Sequence, residues 1–286
     1  MKKPQWITVV IALLLVGALY FFGRTVPRRE KSIIHTEDDG HEHTANEISI
    51  DSIITGAKSQ LSTEQVARLS MLENSISRGD VKEQKIRVYH QLSHFWSDSM
   101  RFFPPYGWYE AEAARLENSE KTLTFAAHLF LEALQREQDP QLLKWEARQA
   151  KDLFERSLKI NPENDSSKVG LGACYLFGNI SPNPMEGVSK IMEVIAKDST
   201  DTYAQITLAK GSMLSGQSNK AISRLLFVNK LHPDNIEAIL LLAEVYEREN
   251  DKATAVDWYR KSLLYIKRKD ARMEIENRIT ELSKKP

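Results

Sequence analysis

The sequence predicts an all-α chain, an N-terminal transmembrane helix followed by a helical solenoid. Three observations predict it. Residues 6–23 carry no charge and are long enough to cross a bilayer. From residue 62 onward, amphipathic runs at helical spacing fill most of the chain. Within them Ala221 and Ala255, Leu225 and Tyr259, Leu208 and Leu242, and Ala209 and Ala243 each stand 34 residues apart. That period belongs to a helix-turn-helix unit that cannot bury its apolar face alone and does so by stacking on its neighbours.

The N-terminal segment, residues 1–30, reads as a membrane anchor with basic flanks. As a helix its apolar run spans about 27 Å, against a hydrocarbon core of about 30 Å. Trp6 and Tyr20 lie near its two ends, where amphipathic rings favour the interface. Val16 and Ala18 offer a small-residue pair for signal cleavage, but cutting there leaves Leu19-Tyr20-Phe21-Phe22 as an apolar terminus. A retained single-pass anchor in a plasma (inner) membrane is therefore expected. Arg24, Arg28, Arg29 and Lys31 outnumber Lys2 and Lys3, and this count places the body in the cytoplasm. A short basic tail before a first apolar helix often stays inside, which would place the body on the periplasmic side instead.

Residues 31–61 read as an acidic, histidine-containing linker. His35, His41 and His43 lie among carboxylates, and His41-Glu42-His43 could take up a metal ion. The stretch has almost no apolar residue to fix a ligand geometry, so a solvated spacer is expected. Residues 62–117 read as a divergent helical pair followed by an aromatic elbow. Ser62-Thr63-Glu64-Gln65 is a capping box opening a helix to residue 78; Gly79-Asp80 closes it, and residues 81–97 form the second helix. The elbow holds Trp96, Phe102, Phe103, Tyr106 and Trp108 around Pro104 and Pro105. It reads either as a packed joint or as an aromatic docking site for a partner peptide.

The array occupies residues 118–266, with repeats near 118–163, 165–199, 202–233 and 236–266. Gly187 and Ile191 precede Ala221 and Leu225 by 34 residues, whereas Ala150 and Phe154 precede Gly187 and Ile191 by 37. The three extra residues fall in the turn Gly178-Asn179-Ile180-Ser181-Pro182-Asn183-Pro184, where insertion costs little. Residues 121–138 put Leu123, Ala126, Ala127 and Phe130 on one face, and about eleven extra residues around Asp139-Pro140 separate that helix from its partner. Residues 267–286, with Met273, Ile275 and Ile279 on one side, read as a terminal capping helix.

These residues carry a resemblance. The last unit reads Ile239, Leu242, Ala243, Tyr246, Ala255, Tyr259, Ser262 and Leu263; the one before it Leu208, Ala209, Gly216, Ala221, Leu225 and Pro233, with Ser212 where an aromatic is usual. The unit from Asp165 reads Leu171, Gly172, Tyr175, Gly187 and Ile191, and the one before it Ala150, Phe154, Ser157, Leu158 and Asn161-Pro162. The chain thus resembles the tetratricopeptide-repeat family, in its membrane-anchored bacterial type. Small residues at Gly172, Ala209 and Ala243 and at Gly187, Ala221 and Ala255 mark the expected close helix crossings.

Composition and motifs exclude other classes. Lysine plus arginine and aspartate plus glutamate both number 39, so no electrostatic footprint for nucleic acid exists. Cys174 is the lone cysteine and reads as a packed thiol. His90 and His94 stand one helical turn apart with no third ligand nearby. Gly170-Leu171-Gly172 follows no strand and reads as repeat punctuation rather than a phosphate loop. Neither catalysis nor a cofactor or metal is expected.

The resemblance implies that protein partners bind the groove lined by the first helix of each repeat. Carried over residue by residue, that groove exposes Val169, Ala173, Leu176 and Phe177, then Ile206, Lys210 and Met213, then Leu240, Glu244, Glu247 and Arg248. Val169/Ala173, Ile206/Lys210 and Leu240/Glu244 replace the lysines and asparagines of a carboxylate clamp, which favours an amphipathic partner segment. The expected function is a non-catalytic, membrane-tethered scaffold, or alternatively a permanently bound subunit of a membrane-associated enzyme or export complex.

Overall fold

The computed structural model describes residues 48–78 and 81–284. The chain divides into two units, Met1–Ala45 and Asn46–Pro286. The first, which holds the expected anchor and the linker histidines, lies outside the described residues. Among the described residues no helix is long and apolar enough to cross a membrane.

Thirteen helices and no strand make up the described residues: α1 (Ile50–Lys58), α2 (Thr63–Arg78), α3 (Lys82–Met100), α4 (Phe103–Glu117), α5 (Glu120–Leu134), α6 (Pro140–Ile160), α7 (Asp165–Phe177), α8 (Met185–Lys197), α9 (Thr202–Leu214), α10 (Ser218–Leu231), α11 (Ile236–Arg248), α12 (Lys252–Ser262) and α13 (Lys269–Ser283). The helices pair as antiparallel neighbours, α3 with α4, α5 with α6, and so on to α11 with α12. Successive pairs stack, so the core is a line of adjoining apolar clusters rather than one centre.

The repeat is visible in the backbone itself. The first helices of three pairs open on Asn164, Asp201 and Asn235, whose Oδ1 atoms accept the N–H groups of Ser167, Ala204 and Ala238 at 2.8, 2.7 and 2.9 Å. Each satisfies one of the donors that a helix start leaves unpaired. The second helices of the three preceding pairs end on Asn161, Asp198 and His232, with φ/ψ of −133/93°, −137/100° and −131/82°. Where α7 crosses α8, a Cβ on Gly172 would lie 2.7 Å from the Gly187 carbonyl oxygen and 2.5 Å from Ile191 Cγ1. The glycines of α7 are therefore not punctuation: they sit inside a helix, and a side chain at Gly170 would strike the Phe154 ring.

One boundary differs from expectation. The spacer assigned through residue 61 contains α1, opened by the Ser49 hydroxyl accepting the Ser52 N–H and buried through Ile53 and Ala57, one turn apart. Lys58 pairs with Glu73 at 2.8 Å and ties α1 to α2. The aromatic elbow joins the end of α3, which holds Trp96, to the start of α4, whose first turn accepts Pro104 and Pro105 because its N–H groups need no intrahelical acceptor. The capping box does close: Ser62 N–H donates to Gln65 Oε1 at 2.9 Å and Gln65 N–H to Ser62 Oγ at 3.2 Å.

The last helix, α13, buries none of its residues. Arg278 holds it by donating to Glu247, which also accepts the Tyr259 hydroxyl at 3.0 Å. Arg272 Nη1 donates to the carbonyls of Leu263 and Ile266 at 2.5 and 3.0 Å.

Candidate functional site

The first helices α5, α7, α9 and α11 converge on a cavity of about 270 Å³. His128, Leu131, Glu132 and Gln135 present one face of α5, at spacings of three and four residues. Ala173 and Phe177 come from α7, Tyr203, Ile206, Thr207 and Lys210 from α9, and Glu237 from α11. Lys210 Nζ lies 2.6 Å from Glu237 Oε1 and 3.4 Å from Gln135 Oε1, so one side chain spans from α11 to the end of α5. The His128 ring meets the edges of Phe154 and Tyr203 at centroid distances of 5.2 and 5.6 Å, and its Nε2 lies 3.0 Å from Ser166 Oγ. Burial lowers the His128 pKa, opposed by Glu132, and burial raises that of the Tyr203 phenol. Glu132, Lys210 and Glu237 are the acidic and basic side chains that line the cavity beside His128.

Of the sequence-derived groove residues, Ala173, Phe177, Ile206 and Lys210 meet here. Four are not exposed as expected: Val169, Ala173, Ile206 and Met213 are all buried. Consecutive first helices pack directly on one another, so the stripe they would expose is consumed by stacking. Val169 joins the cluster with Ile191, Val194, Ala204 and Leu208, and Met213 the one with Leu225 and Leu242. Leu176 fills the space beside Gly211. Leu240 is half-buried, and Glu244 and Arg248 form an ion pair one turn apart. Glu247 serves the capping helix rather than the groove.

The aromatic stretch divides in two. Trp96 is fully buried beside Phe95 and cannot dock a partner. Phe102 packs into the core clusters on both sides, and Trp108 leans on Trp145 at 6.4 Å with the Arg115 guanidinium 5.3 Å from its ring centroid. Phe103 packs edge-on against Phe130 at 5.3 Å, yet with Tyr106 it also lines a second cavity of about 430 Å³.

His90 Nδ1 lies 3.2 Å from Glu110 Oε1. Among the described residues no three His, Cys, Asp or Glu side chains gather as a metal site. The Cys174 thiol is buried, and burial pushes its pKa up.

Sequence reading missed His128, Tyr203, Glu237 and, in the second cavity, Glu146. A signal existed for two of them: Tyr203 and Glu237 each stand two residues past a helix cap, Asp201 and Asn235, in one register of the repeat.

No family model matches the chain, and no curated protein matches it. Among solved structures it is similar to MamA from Desulfovibrio magneticus RS-1, at 19% identity over 65% of this chain and 96% of that one, with a TM-score of 0.41. It is similar to YrrB, described as a TPR protein with an unusual peptide-binding site, at 14% identity over 72% and 97%, TM-score 0.40. It is also similar to yeast Tom70, at 10% identity over 76% and 58%, TM-score 0.39. By its own recurring caps and helix pairs, the described part of this chain is an all-α solenoid of stacked helix pairs.

Proposed function

We propose that the chain is a non-catalytic scaffold, tethered to a bacterial inner membrane through residues 6–23, that binds a segment of a partner protein in its groove. One observation carries this reading: four consecutive first helices wall a single cavity that combines the aromatic faces of Phe177 and Tyr203 with the Lys210–Glu237 pair. Apolar surface there supplies affinity, and the two charges select the partner's orientation. The uncharged run and its basic flank support the tether, and the positive-inside count supports a cytoplasmic body.

The test is proximity labelling in intact membranes, comparing the wild type with a Lys210→Glu, Leu240→Glu double variant whose melting temperature is checked separately. Loss of a discrete set of labelled proteins from the folded variant is expected. An unchanged set would remove the groove as the binding surface and favour a fixed structural subunit.

A further inference from the structure

The second cavity lies where the start of α4 and the end of α5 meet α6, and Glu132 borders both it and the groove cavity. Its about 430 Å³ fall within the range of about 300–1,000 Å³ usual for ligand sites. Phe103 and Tyr106 supply aromatic surface, and Glu132, Arg136, Glu137 and Glu146 supply charge. Glu146 is the unusual member. It is 1% exposed, flanked on α6 by the buried Trp145 and Ala147, and its Oε2 has no hydrogen-bond partner. A carboxyl oxygen withdrawn from water without a donor is costly, and native proteins keep few of them.

Glu137 is committed elsewhere on one side, since its Oε1 accepts the N–H groups of Gln138 and Asp139 at 2.7 and 2.8 Å. Three carboxyl groups against one guanidinium leave the lining acidic. The group that would complete it donates hydrogen bonds, carries positive charge and tolerates an aromatic neighbour.

We infer that this cavity receives a basic side chain, arginine in preference to lysine, from the partner segment held in the adjoining groove. A planar guanidinium can donate to Glu146 Oε2 while lying against Phe103 or Tyr106, which a compact ammonium does less well. This assignment rests on the scaffold reading and adds a requirement to it: the partner places one arginine beside an apolar stretch. Burial, with Glu137 adding to it, pushes the Glu146 carboxyl up to about 8, and a cation bound beside it would displace its proton.

The test uses the full chain in nanodiscs and a fluorescent blocked pentapeptide, Ala-Leu-Arg-Leu-Ala, with a citrulline version and free agmatine as comparators. Saturable binding of the arginine peptide is expected, weakened at least tenfold by citrulline, by Glu146→Gln, and several-fold by Glu132→Gln at the exposed edge. Melting curves establish that both variants are folded. Equal binding of the citrulline peptide, equal binding by Glu146→Gln, or no saturable binding to the wild type each overturns the inference. Agmatine binding as tightly as the peptide overturns the side-chain assignment in favour of a free organic cation. Should proximity-labelled partners vanish with the groove variant yet persist with Glu146→Gln and show no arginine dependence, the scaffold reading stands and the arginine site falls.

Discussion

Gly172 and Gly187 bring two helix backbones into contact: a Cβ on either would press on the other's carbonyl oxygen, which cannot step aside as a flexible side chain can. Gly172→Ala and Gly187→Ala should each lower stability by about 1–3 kcal/mol, exceeding the gain of about 1 kcal/mol in helix propensity. Gly56→Ala, in α1 with nothing within 4 Å, should raise it by up to about 1 kcal/mol. Denaturant midpoints of the three variants check the opposite signs.

Glu146 should make the protein less stable as the solution turns alkaline. Its carboxyl titrates at about 8 when folded, against an ordinary value of 4.5, so over that window the native chain retains a proton that the unfolded chain has released. Stability therefore falls as pH rises from about 4.5 to 8. Glu146→Gln should match the wild type near pH 5 and exceed it by a few kcal/mol, in order of magnitude, at pH 9. His128 acts with the opposite sign, its lowered pKa weakening the fold below about 6.5, but it is present in both proteins and cancels in their difference. Parallel melting profiles of the two proteins across this range would remove Glu146 as the source of the alkaline loss.

The helix caps should not be equivalent. Asn235→Ala and Asp201→Ala each remove one capping bond and should cost about 1 kcal/mol. Asn164→Ala should cost more, because Asn164 Nδ2 also donates to the Glu120 carboxylate and to Thr124 Oγ1, joining α7 to α5 across a repeat boundary. Urea unfolding would rank them; a smaller loss for Asn164 than for Asn235 contradicts the structure.

Arg278→Ala should loosen α13 locally. The pair with Glu247 is half-exposed and contributes less than about 1 kcal/mol to the whole. In a solenoid each unit answers mainly to its neighbours, so amide exchange should speed up through α13 and α12 while α5 to α8 keep their protection. The Tyr259 phenol, raised to about 12 by burial and by its bond to Glu247, loses the opposing charge of Arg278 and should titrate higher in the variant. Uniform loss of protection along the chain is the contrary outcome.

Much of the architecture was legible because the repeat is a matter of spacing. The pairs from α7 to α12 follow from residues 34 or 37 apart, and the capping box from four consecutive side chains. What was not legible depended on the third dimension. The stretch containing α1 reads as polar spacer because so short a helix docks through a few residues, Ile53 and Ala57 buried and Ile50 and Ile54 beside them. Val169 and Met213 read as groove surface because exposure depends on how tightly successive first helices stack, which spacing does not specify. Glu146 carried no periodic mark; on an amphipathic helix a carboxylate is expected to face water, and only the helices packed around α6 show that it does not.

Lys210 gives the array a mechanical property. A stack of helix pairs behaves as a coil spring, whose pitch changes by small rotations at every junction. A cation on α9 that reaches both α11 and the end of α5 is a strut laid across one coil, and being half-exposed it is a soft one. Stretching or twisting the spring strains that strut, so load applied along the array is felt at the groove.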